Sequence, residues 1–145
     1  MEKNEIVSRL TPIFRDVFNN DTLVVSEGIL KAQEPEAYEA YVAHPGFVAP
    51  HGGETGYQVV ARALPVITRI AATCDEGEVL VVSHKAVIRV VACALLGIDV
   101  DLYRARLAQP VASVTSFEFT PTGPRLRRLG DLSHLPLELR TGGGV

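Results

Sequence analysis

Three adjacent residues, Ser83, His84 and Lys85, have the types and spacing to act on an anion. They offer a hydroxyl, an imidazole and an ammonium group within one short stretch. Just before them stands Val79-Leu-Val-Val82, four apolar β-formers in a row. Such a run reads as a strand buried on both faces, as in a parallel sheet. Just after them Val87, Ile88, Val90, Val91, Ala94 and Leu95 recur at helical spacing, up to a Gly97 placed as a helix C-cap glycine. The polar group therefore lies between a strand end and a helix start, the edge at which open α/β sheets bind their ligands. Unpaired backbone N–H groups and the positive end of the helix dipole favour an anion there. A histidine at that point binds or protonates a phosphate. The plainer alternative makes Ser83 a helix N-cap and His84 a half-buried neighbour.

The elements that must position this group follow from the rest of the pattern. Ile6, Leu10, Ile13, Phe14, Val17 and Phe18 mark one helical face, with Pro12 as a kink or first-turn proline. Thr22 to Ser26 reads as a short strand. Pro35 to Val42 reads as a weak helix, and the Pro- and Gly-rich stretch 44–53 as a loop. Thr55 opens a helix through Ala71, which Pro65 is expected to bend. Asp99 to Leu107 is a short charged helix stopped by Pro110. Val111 to Thr120 alternates as a strand and returns, after a turn at 120–124, as a second strand over 125–130. The expectation is an α/β domain with a mainly parallel sheet and an antiparallel edge hairpin. A single domain spans residues 1–135, with a frayed tail over 136–145.

Composition narrows the function classes. The chain has 145 residues, 47% of them hydrophobic and 21% charged, enough for one domain with a core. A net charge of −3 and the lack of a basic stripe argue against nucleic acid. Arg125-Leu-Arg-Arg128 reads as a solvated strand face. His84, Lys85 and Arg89 interrupt the apolar run from Val79 to Ile98, so it is not a membrane span. Cys74 and Cys93 lack metal-ligand spacing, and Cys93 reads as a small core residue. A reducing compartment and a polar start, Met1-Glu-Lys-Asn-Glu5, point to a cytoplasmic protein, and with no ligand cluster in the sequence no metal or organic cofactor is implied.

Val81-Val-Ser-His-Lys-Ala-Val-Ile-Arg89 resembles an element of the histidine phosphatase (phosphoglycerate mutase-like) superfamily. Gly52-Gly-Glu-Thr55, with Arg62 seven residues after Thr55, resembles the element that opens the preceding helix of that family. Val111-Ala-Ser-Val114 and Gly130-Asp-Leu-Ser-His-Leu135 resemble its closing strands. The resemblance runs in order from about Pro50 to Leu135. It implies a three-layer α/β/α fold and a phosphoryl site in which His84 is the second, phosphate-binding histidine. The family's first histidine, in an Arg-His-Gly motif, is the nucleophile. A covalent phosphohistidine divides one difficult step into two, and the cationic cluster stabilises the spread charge of the transferring group.

No Arg-His-Gly occurs in these 145 residues. By analogy the family's first strands are absent before Met1, and Thr11-Pro12 leaves Val7 where an arginine belongs. Pro50-His-Gly-Gly-Glu-Thr55 is only superficially similar to the nucleophile motif. Pro50 replaces the arginine, one glycine is extra and no strand precedes it, so His51 reads as a loop residue. Glu27 is the candidate acid, with Glu34 nearby. Without its neighbouring strand, the strand at 79–82 has an open apolar edge. A homodimer or a partner chain that completes the sheet is therefore expected. Two functions compete. One is phosphomonoester hydrolysis through a phosphohistidine supplied from outside this chain. The other is a catalytically inactive family member that binds a phosphorylated small molecule or phosphate ion, or serves oligomerisation.

Overall fold

A computed structural model describes residues 34–50, 52–74 and 76–140. The expected helix over residues 6–18, the strand at 22–26, Glu27, His51 and the end of the tail lie outside the described residues. The chain divides into two compact units, residues 1–81 and 82–145.

In the first unit, α1 spans Pro35–Ala43. Pro35 takes the first helical position, where its missing N–H costs nothing. None of its residues is buried. The chain then turns through His44–Pro50, and α2 spans Gly56–Thr73. Thr55 and Gln58 form a reciprocal cap at its start. The Thr55 hydroxyl accepts from the Gln58 N–H at 3.1 Å, and the Gln58 side-chain oxygen accepts from the Thr55 N–H at 2.8 Å. Replacing Thr55 with Val keeps the shape and removes the acceptor. The expected outcome is a loss of about 1 kcal/mol, read as a lower urea midpoint at unchanged slope.

Pro65 lies inside α2 at an exposed position, and the helix continues past it for two more turns. The proline withdraws one donor from the helix, and the carbonyl it leaves belongs to exposed Ala61. On the inner face, Ile70 and Val66 receive Val79 and Val81 from the extended segment that follows.

That segment corrects one expectation. Residues 79–82 are extended but have no ladder partner among the described residues, and they are not buried on both faces. Val79 and Val81 are covered, whereas Leu80 is 78% exposed. Alternate side chains of an extended chain point to opposite sides, and α2 covers only one of them.

In the second unit, α3 spans Lys85–Leu96 and buries Val90, Val91, Ala92 and Cys93. Gly97 ends it at φ +68°, a left-handed position that costs a glycine little, and the Ile98 N–H reaches back to the Cys93 carbonyl at 2.9 Å. Cys93 is fully buried, and burial pushes its thiol pKa up. The expected charged helix is a 3₁₀ turn, Val100–Leu102, running into α4, Tyr103–Arg106. Val100, Tyr103 and Leu107 join the core.

The hairpin follows as β1, Val114–Thr120, and β2, Gly123–Asp131, paired antiparallel. Arg125 and Arg127 both pair with Glu118 on its exposed face, as a solvated strand surface requires. After β2 the Asp131 carboxylate accepts from the Ser133 N–H and then from its hydroxyl, which lowers its pKa from the ordinary aspartate value. Arg140 closes the segment by donating to the carbonyls of Leu135 and Ser133, both at 2.8 Å. Helices with a two-stranded antiparallel sheet make this an α/β fold.

Candidate phosphate site

The two long helices begin in contrasting ways. At the start of α2 each of the first four N–H groups has an acceptor. Gly56 donates to the Pro45 carbonyl at 2.9 Å and Tyr57 to the Gly46 carbonyl at 3.2 Å. Gln58 donates to the Thr55 hydroxyl, and Val59 donates to the Thr55 carbonyl at 3.0 Å. The rings of Phe47 and Tyr57 pack at 5.0 Å between centroids, holding the same loop against the helix. A helix start closed in this way has no donors left for a ligand.

At the start of α3, His84 is the N-cap residue, with extended φ and ψ, and its side chain makes no capping bond. Its carbonyl accepts the Ile88 N–H at 3.0 Å. Ala86 and Val87 make no backbone hydrogen bond through their N–H groups among the described residues. His84 is exposed, and Ser83 and Lys85 are half-buried. His84 therefore caps a helix in which the Ala86 and Val87 N–H groups have no backbone acceptor among the described residues, and unpaired donors at a helix start favour anions. The three residues expected to bind phosphate are contiguous at this terminus, although Ser83 is not the cap. Glu27, the candidate acid, lies outside the described residues.

Arg89, the last residue of the same element, has a different task. Its Nε donates to the Tyr103 carbonyl at 3.2 Å and one Nη to the Arg104 carbonyl at 2.7 Å. Its guanidinium also lies 5.2 Å from the centroid of the Tyr103 ring. It clamps α3 to α4 rather than facing the helix start.

Two arrangements were not legible as chemistry from residue types alone. Glu54 and Arg62, noted only for their motif, form a forked ion pair. Arg62 Nε lies 2.8 Å from both Glu54 oxygens, and one Nη lies 2.7 Å from Oε2. The signal was the seven-residue step from Thr55, about two helical turns, which returns Arg62 to the face of the cap. The second is a hydrogen-bonded cluster around buried Gln109, whose sequence signal was one polar residue between Leu107 and Pro110. Among the described residues no group of three His, Cys, Asp or Glu side chains is placed to hold a metal ion. Nor does any described helix have the length and apolarity to cross a membrane.

Comparison with curated proteins returns no match. Two solved structures are similar over 72% of this chain. Bacillus stearothermophilus YhfR shares 26% identity at a TM-score of 0.65, with 52% of its own length covered. A protein titled mycobacterial hydrolase 1 shares 27% identity at a TM-score of 0.58, with 56% covered. The chain thus spans about half the length of these relatives. The profile of the histidine phosphatase superfamily (branch 1) matches residues 10–132, and the chain belongs to that superfamily.

Proposed function

We propose that this chain binds the phosphoryl group of a phosphorylated small molecule, or free phosphate, at the start of α3. Ser83, His84 and Lys85 are the binding residues. The observation that supports the reading is the start of α3, where the His84 side chain makes no capping bond and the Ala86 and Val87 N–H groups have no backbone acceptor among the described residues, whereas the start of α2 is closed. The family's phosphohistidine chemistry gives His84 its role as the histidine that holds the phosphoryl oxygens while another histidine forms the covalent bond. With no Arg-His-Gly in the sequence, that nucleophile is supplied from outside this chain, and Glu27 is the candidate proton donor. The reading includes a three-layer α/β/α domain over residues 1–135 with a mainly parallel sheet. A second copy or a partner chain completes the sheet beside 79–82.

The missing nucleophile also favours a second reading, a catalytically inactive family member that binds the phosphorylated ligand without turnover. Complementation separates the two. The purified chain alone is expected to leave an aryl phosphate intact. Adding a polypeptide that carries the Arg-His-Gly strand of a family member is expected to start hydrolysis that His84→Ala abolishes. Phosphate binding without turnover in the mixture selects the inactive reading. Turnover by the chain alone that survives His84→Ala contradicts both.

A further inference from the structure

The two closing motifs, Val111-Ala-Ser-Val114 and Gly130-Asp-Leu-Ser-His-Leu135, have no part in the phosphate site, yet one buried side chain joins them. Gln109 is 3% exposed, the one buried polar side chain among the described residues. Its Oε1 accepts from the Thr115 hydroxyl at 2.6 Å, and its Nε2 donates to the Ser113 hydroxyl oxygen at 2.6 Å. The Ser113 hydroxyl in turn donates to the Pro110 carbonyl at 2.6 Å. At the other end, Thr115 Oγ1 accepts the Gly130 N–H at 3.1 Å. The four bonds run in one direction, from Gly130 through Thr115, Gln109 and Ser113 to Pro110, and each hydroxyl both accepts and donates.

Each end of this chain holds a backbone feature that would otherwise relax. At the Pro110 end the exposed turn carries Ala112 at φ +58°, a left-handed conformation that is unfavourable for an L-residue. The bond that closes this turn, Ser113 N–H to the Pro110 carbonyl, is long at 3.4 Å. At the Gly130 end the hairpin ladder slips. Val114 pairs with Asp131 and Ser116 with Arg128, so Thr115 faces both Leu129 and Gly130. This is a β-bulge, and its Gly130 N–H is satisfied by the Thr115 side chain in place of a strand carbonyl. The two ends also touch. A Cβ on Gly130 would lie 2.9 Å from Pro110 Cδ and 3.1 Å from the Ala108 carbonyl oxygen.

We propose that Gln109 is the centre of a conformational lock, so that the turn at 110–113 and the bulge at Gly130 open together as one cooperative unit. A bulge and a turn held by separate contacts would open independently. Here the loss of any link leaves hydroxyls in the same chain without partners, and an unsatisfied buried group is costly. Every member is a hydroxyl, an amide or backbone, so the unit holds its geometry without ionisable groups.

Backbone amide hydrogen exchange on the full chain tests the lock, with Gln109→Leu and Thr115→Val. The expected result is exchange about tenfold faster or more at both Ser113 and Gly130 in each variant, as for the loss of one buried hydrogen bond. The Ile88 amide of α3 should keep its rate. Thr115→Ser, which keeps the hydroxyl, should restore protection at both positions. Faster exchange at one position with the other unchanged would overturn the lock, as would unchanged rates at both. If Gln109→Leu fails to fold, Thr115→Val against Thr115→Ser decides alone.

Discussion

His84→Ala is expected to weaken the binding of inorganic phosphate by roughly 10- to 150-fold, the factor for one hydrogen bond to a charged group. Titration calorimetry at constant ionic strength measures it. The size follows from the position of the side chain. In the proposed site the imidazole would donate to the ligand at a helix start, where the dipole favours negative charge. The variant separates binding from folding cleanly, because His84 is exposed and its side chain does not cap α3. Stability should therefore change by no more than about 0.5 kcal/mol. Lys85→Met should have the smaller effect, since an ammonium on a flexible stem acts as a point charge rather than a fixed donor. Equal phosphate affinity in wild type and His84→Ala would remove the histidine from the site.

Gly130→Val is expected to destabilise the chain by about 3 kcal/mol or more, read as a fall in the denaturant midpoint. Two costs coincide. At φ +62° a β-branched residue is strained whatever space surrounds it. Its Cβ would also press on Pro110 Cδ and on the Ala108 carbonyl, and the backbone atom cannot swing aside as a side-chain tip can. Gly97→Ala provides the internal comparison. Gly97 is also left-handed, at φ +68°, but a Cβ there would meet nothing within 4 Å. It should cost only the conformational share, about 1 kcal/mol. A Gly130→Val loss no greater than that of Gly97→Ala would mean that the close approach yields easily.

The elements that show strong periodicity or clear punctuation were legible in the sequence. The helix over 85–96 and its glycine stop, the capped start of α2, and the hairpin with its turn near 120–124 all fall where spacing and turn residues put them. Local physics sets these features, since a cap, a left-handed glycine and an alternating face need only neighbours in sequence. The environment of 79–82 was not legible. Four apolar residues in a row specify an extended chain, but what covers each face depends on distant segments, and only Val79 and Val81 are covered. The candidate site residues were named by type and position, and the structure adds that the start of α2 is closed. That depended on whether the carbonyls of Pro45 and Gly46 fold back onto α2, a loop conformation that composition does not encode. The role of Gln109 was hidden for the same reason, because its partners lie four and six residues away in a turn and a bulge.

The most direct test of the phosphate site is a titration of the isotopically labelled chain with inorganic phosphate, followed by the backbone amide resonances. Saturable shifts are expected at Ala86 and Val87, with Gly56 and Tyr57 unmoved, and the response should be lost in His84→Ala. Saturable shifts at Gly56 and Tyr57, or none at the start of α3, would rule out a phosphate site at His84.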